Sequence, residues 1–128
     1  MEVVVKSFRD YNVWQRSHKL ALAVYKLTEG FPRHEMFGLT SQMRRSASSV
    51  PTNIAEGAVM GDAQFYRFLT IALGSAAELE YQFILARDLN YVQPLVYEEL
   101  DAQVNVVKRQ LIRLRETIRS SSGLKPKA

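Results

Sequence analysis

The chain predicts an all-α protein, an antiparallel up-down-up-down four-helix bundle. Three observations lead there. Apolar residues recur at helical spacing in four long stretches, the breaks between them are short, and nothing resembles a strand beyond Val3-Val4-Val5, a triplet too short to build a sheet. Short links between helices of similar length make sequential helices antiparallel neighbours. The 128 residues suit one domain covering the whole chain. Hydrophobic residues at 47% and charged residues at 23% give enough apolar surface to bury a core, which argues against extended disorder.

The first helix is expected over residues 12–29, with Val13, Leu20, Val24 and Leu27 on one stripe and Trp14, Ala21 and Tyr25 beside it. Gly30-Phe31-Pro32 stops it, since glycine suits the turn past a helix end and proline cannot continue the ladder. The second spans roughly residues 35–59, with Leu39, Met43, Val50 and Ile54 inward. Pro51 removes the donor for the Ala47 carbonyl, so a kink is expected there, with Ser48 and Ser49 placed to help satisfy the freed carbonyls. Gly57 and Gly61 bracket a turn, and Asp62 is the expected N-cap of a third helix over residues 62–90. Its stripe is Phe65, Phe68, Leu69, Ala72, Ala76, Leu79, Phe83, Ala86 and Leu89. Gln93-Pro94 opens a fourth helix over residues 94–120, whose seam Leu100, Val104, Val107, Leu111, Leu114, Ile118 alternates four and three. Residues 121–128 are expected as a mobile basic tail.

Charge and composition narrow the function classes. No cysteine is present, which removes disulfides, thiolate catalysis and cysteine-ligated zinc and fits a reducing cytoplasm. The opening Met1-Glu2-Val3-Val4-Val5-Lys6 lacks the basic start and long apolar run of a signal peptide, and no apolar stretch approaches the roughly 20 residues that span a bilayer. A cytoplasmic protein with no membrane partner is expected. The net charge of +4 is unevenly placed. From Lys108 onward, Lys108, Arg109, Arg113, Arg115, Arg119, Lys125 and Lys127 stand against the single acid Glu116.

Familiar catalytic and metal patterns are missing from the chain. Di-iron bundles need Glu-x-x-His pairs, and the chain has none. Its histidines, His18 and His34, fall on the first helix and in the next loop, so a helical two-histidine zinc site is also absent. Helical-bundle ribonucleases of the HEPN type place an arginine four to six residues before a histidine, and neither histidine has one. No phosphate loop, dinucleotide turn or nucleophile elbow occurs. The expectation is therefore no catalytic residue, no cofactor and no metal.

Three constellations remain. Arg44-Arg45 lies mid-helix with side chains about 100° apart. It serves either as a structural arginine paired with Glu56, Glu78 or Glu80, or as a phosphate contact. The run Pro51-Thr52-Asn53-Ile54-Ala55-Glu56-Gly57 makes either a polar nook or a self-satisfied kink, in which Asn53 and Glu56 bond freed backbone groups. Gly74, mid-helix, points to close approach by another helix, from this chain or from a second copy.

The run Val13-Trp14-Gln15, Val24-Tyr25-Lys26-Leu27-Thr28, Phe31-Pro32, Glu35 through Gly57 with its Arg44-Arg45-Ser46 and Pro51-Thr52-Asn53-Ile54-Ala55-Glu56-Gly57, then Phe68-Leu69, Gly74-Ser75 and Glu78-Leu79-Glu80 resembles a known family. It is similar to the four-helix-bundle proteins encoded in 23S ribosomal RNA intervening sequences, over about residues 8 to 92. The resemblance implies a bacterial cytoplasmic bundle that assembles with itself into a ring, typically a homopentamer, and it brings no established catalytic residue. By fold alone the family is also similar to the accessory variability proteins of diversity-generating retroelements, which bind nucleic acid.

The expected function is a non-enzymatic homo-oligomer that binds rRNA or other nucleic acid through Arg44, Arg45, Lys108, Arg109, Arg113, Arg115 and Arg119. The competing expectation is a scaffold that recruits a protein partner, with the basic face merely solvated. A third, an enzyme with a site between subunits, has no motif behind it.

Overall fold

A computed structural model describes residues 7–123. Val3-Val4-Val5, Lys125 and Lys127 lie outside the described residues. After a short 3-10 turn at Phe8–Asp10 come four helices: α1 (Asn12–Thr28), α2 (Leu39–Ala58), α3 (Asp62–Asp88) and α4 (Pro94–Ser122). Each packs on its sequence neighbour and α4 closes back on α1, while the backbones of the diagonal pairs, α1 with α3 and α2 with α4, stay apart. That adjacency is the up-down-up-down bundle.

The core follows the stripes. Val24, Met43, Ile54, Leu69, Leu79, Phe83, Val104 and Leu111 are wholly shielded from solvent, so every helix contributes. Burial of such side chains contributes about 1.5–3 kcal/mol each and holds the helices in register. Leu89 departs from its stripe and is exposed, because α3 ends at Asp88 and Asn90 turns into the left-handed region at φ 64°.

Several expected ends move. Glu35 belongs to a separate 3-10 turn, Arg33–Glu35, and α2 starts at Leu39. Instead of starting the helix, Glu35 caps it: its Oε1 accepts the Leu39 N–H at 3.2 Å and its Oε2 accepts the Tyr91 hydroxyl at 2.9 Å. The N-cap of α3 is Gly61, with Asp62 already the first helical residue. Helix α4 runs two residues past 120, through Ser122, to a left-handed Gly123 at φ 73°. Residues 121 and 122, expected as tail, are therefore helical.

Helix α2 runs through Pro51 as one element. Ser48 donates to the Arg44 carbonyl at 2.9 Å, and Ser49 shares a hydrogen bond with Ser75 at 2.8 Å, so the two serines serve other partners than the Ala47 carbonyl. Asn53 does bond the backbone, donating to the Ser49 carbonyl at 2.8 Å, whereas Glu56 makes no such bond and stands exposed. Gly57 lies buried in the last turn of the helix, and the turn before Gly61 follows it.

The Glu35 junction ties the start of α2 to the link between α3 and α4, and it carries a pH dependence. The Leu39 N–H and then the Tyr91 hydroxyl hold the Glu35 carboxyl below its ordinary value of 4.5. The Lys108 ammonium likewise lowers Glu80. A carboxyl lowered on folding adds stability above its unfolded value, and that stability is lost as pH falls through the folded value. Thermal melts at successive pH values should therefore show the midpoint falling below about pH 4.5. Glu35→Gln should flatten part of that fall, and an unchanged acid limb in the variant would remove Glu35 from it.

Candidate nucleic-acid interface

The seven candidate cations do not form one surface. Arg44 turns inward to the end of α1, where its Nε donates to Thr28 Oγ1 at 2.8 Å and its terminal nitrogen to the Tyr25 carbonyl at 3.3 Å. Its guanidinium also lies 4.9 Å from the centre of the Tyr25 ring. Arg44 is thus structural, as one alternative held, but its partners are a hydroxyl and a carbonyl in place of a carboxylate. Arg45, one residue on and about 100° around, is exposed on the outside of α2.

On α4 the cations divide by helical spacing. Lys108, Arg115 and Arg119, seven and four residues apart, share the flank toward α3. Lys108 Nζ meets Glu80 Oε1 at 2.7 Å, with both side chains about three-quarters shielded. Arg115 donates to Thr70 Oγ1 at 3.3 Å and lies over the Tyr66 ring. Arg119 Nε donates to Glu116 Oε2 at 2.8 Å. These three cations spend much of their hydrogen-bonding capacity inside the molecule, and Glu80 and Glu116 offset two of their charges.

Arg109 and Arg113, four residues apart, lie away from that flank and are exposed, and their side chains make no hydrogen bond or ion pair to the described residues. Arg113 lines a groove between α4 and the start of α1, together with Asn12, Val13, Gln110 and Thr117. Arg16 and Lys19 stand one and two turns along α1 from Asn12 on the same side. Both are exposed and have no ion-pair partner among the described residues. The α1–α4 side of the bundle therefore gathers four unneutralised cations, Arg16, Lys19, Arg109 and Arg113. Arg16 and Lys19 do not stand out in the sequence. Their spacing of three is visible there, but only the closure of α1 on α4 puts them beside Arg113.

The remaining surface carries no metal-binding cluster: among the described residues no group of three His, Cys, Asp or Glu side chains is arranged to hold an ion. His18 is exposed and stacks on Trp14, with ring centres 5.2 Å apart. No described helix is long and apolar enough to cross a membrane.

With this geometry in view, the model of one protein family matches residues 9–113, under the description 23S rRNA-intervening sequence protein. The chain belongs to that family. A crystal structure of a protein of unknown function from the S23 ribosomal protein family, from Bacteroides thetaiotaomicron, is similar at 26% identity and a TM-score of 0.75. The match covers 81% of this chain and 95% of that one. No curated protein matches the sequence. The matched stretch ends at Arg113. The family match thus spans the whole α1–α4 cation group.

Proposed function

We propose that this protein is a non-enzymatic bundle that assembles with itself and binds structured RNA or another nucleic acid through its α1–α4 side. One observation carries the reading: Arg16, Lys19, Arg109 and Arg113 converge on one side with no internal acid to neutralise them. Cations left unpaired in the folded chain displace counterions from a phosphate backbone, which gives salt-sensitive binding with weak sequence preference. Self-assembly, a ring of five in the family resemblance, multiplies the same surface and raises avidity without new contacts.

The test is binding to structured RNA and duplex DNA across a salt series. The wild type is expected to bind with an affinity that falls steeply as salt rises. Changing Arg16, Lys19, Arg109 and Arg113 to glutamine should weaken binding at least tenfold, and the log–log salt slope should become shallower by about one for each phosphate no longer neutralised. Changing Lys108 and Arg119, already paired, should do much less. No wild-type binding at physiological salt would overturn the proposal.

A second reading has its own support. Phe8, Trp14, His18, Leu22 and Tyr25 line one wall of an open groove of about 370 Å³, and Pro51 and Ala55 line the other. Leu22 is 57% exposed there. An apolar groove of this kind suits the apolar face of a protein partner's helix.

A further inference from the structure

Gly74 sits in the middle of α3, where glycine is the least favourable residue after proline. A methyl group built on it would meet nothing within 4 Å. The space a side chain would take there is open, so packing within the chain does not explain the glycine.

The surroundings of Gly74 have a pattern. Arg67, Ile71, Gly74 and Glu78 are all exposed and share one stripe of α3, spaced four, three and four. That spacing reads the same in both directions. The ends carry opposite charge, and the two middle residues pair a large side chain with none. If a second α3 is laid antiparallel on the first about a two-fold axis, each residue meets the one equally far from the midpoint. Arg67 then faces Glu78 of the second copy, Ile71 covers its Gly74, and both contacts occur twice.

Helix α2 extends the same pattern. Arg45 and Glu56 are eleven residues apart, as are Arg67 and Glu78, a rise of about 16.5 Å that returns to the same side of the helix. The bonds Ser46 to Glu78 and Ser49 to Ser75, both 2.8 Å, fix α2 against α3. They set Arg45 within about one residue of the level of Glu78, and Glu56 within about one residue of the level of Arg67, an offset of roughly 1.5 Å. The two-fold axis that pairs α3 with itself therefore also brings Arg45 to Glu56 of the second copy. Neither Arg45 nor Glu56 has an ion-pair partner among the described residues. Between the charged corners, Ser49, Asn53, Gly74 and Ser75 are all small enough to let backbones approach.

We infer that the α2–α3 face is a self-complementary docking surface for a second copy of this chain, with Ile71 of each seated over Gly74 of the other. It specifies one contact of the proposed self-assembly and stands apart from the nucleic-acid surface, which lies on α1 and α4. The contact is isologous. In a ring of five it joins one ring to another and does not link neighbours within a ring, because closure around five uses a heterologous contact.

Light scattering coupled to size exclusion, at tens of micromolar protein, tests the contact. Gly74→Leu fills the space meant for Ile71, and its Cβ meets nothing in its own chain. It should halve the wild-type mass with an unchanged helical circular dichroism spectrum. Arg67→Glu should also halve the mass. Adding Glu78→Arg in the same chain, or mixing the two single variants in equal amounts, should restore it, since either arrangement puts opposite charges back in register. A wild type at monomer mass, or a Gly74→Leu variant at the full wild-type mass, overturns the inference. Nucleic-acid affinity plays no part in this readout, so either proposal can fail while the other holds.

Discussion

Gly57→Leu is expected to destabilise the bundle by roughly 3 kcal/mol or more and to lower the thermal midpoint by about 10 °C. A Cβ at Gly57 would lie 2.8 Å from Phe68 Cβ and 2.9 Å from Phe65 Cδ1. Neither atom can yield cheaply. Phe65 is 3% exposed and packs edge-on against Tyr11 at 5.7 Å, and Phe68 Cβ is fixed to the backbone of α3. The added side chain must push the first turns of α3 away from α2, which opens the lower end of the core. Loss of the glycine's helix penalty, about 1 kcal/mol, offsets only part of this cost. A melt followed by circular dichroism measures the change. A midpoint within a few degrees of wild type would show that α3 moves aside freely.

Gly57 and Gly74 show what the sequence could and could not convey. Both are helical glycines with apolar residues nearby, and the chain alone does not say which of them is closed in. One is closed in by two phenylalanines and the other faces open space, a difference set by the register between α2 and α3. The seams were legible because a period of 3.6 residues is a local property: Val104, Val107 and Leu111 are buried where their spacing placed them. Pairing of charges was not legible. Lys108 finds Glu80 at a separation of 28 residues, and nothing in the run Lys108-Arg109 says which of the two is neutralised. The start of α2 and the cap of α3 differ from expectation for a related reason. Glu35 and Asp62 are both good first-turn residues, but caps depend on backbone angles at Gly38 and Gly61 that composition does not fix.

The same distinction decides Arg44, whose replacement by alanine is expected to cost about 2–4 kcal/mol and to lower the thermal midpoint by roughly 10 °C. Its Nε supports the hydroxyl of Thr28, which is 3% exposed and itself donates to the Val24 carbonyl at 2.8 Å. A second nitrogen satisfies the Tyr25 carbonyl near the end of α1, and the guanidinium plane covers the Tyr25 ring. Removing the side chain leaves these partners short of a donor and uncovers the ring, so the last turn of α1 should fray. Lysine is not an adequate substitute, because a single ammonium cannot hold two bonds in the planar geometry of the fork. Arg45→Ala, on the same helix but without a bond inside the chain, should leave urea unfolding nearly unchanged. The decisive comparison is RNA affinity measured well below the melting transition. Arg44→Ala should keep the wild-type affinity while losing stability, because its guanidinium serves α1 and is not free to reach a phosphate. An Arg44→Ala protein that melted normally but lost RNA affinity would return Arg44 to the binding surface and empty it of its structural role.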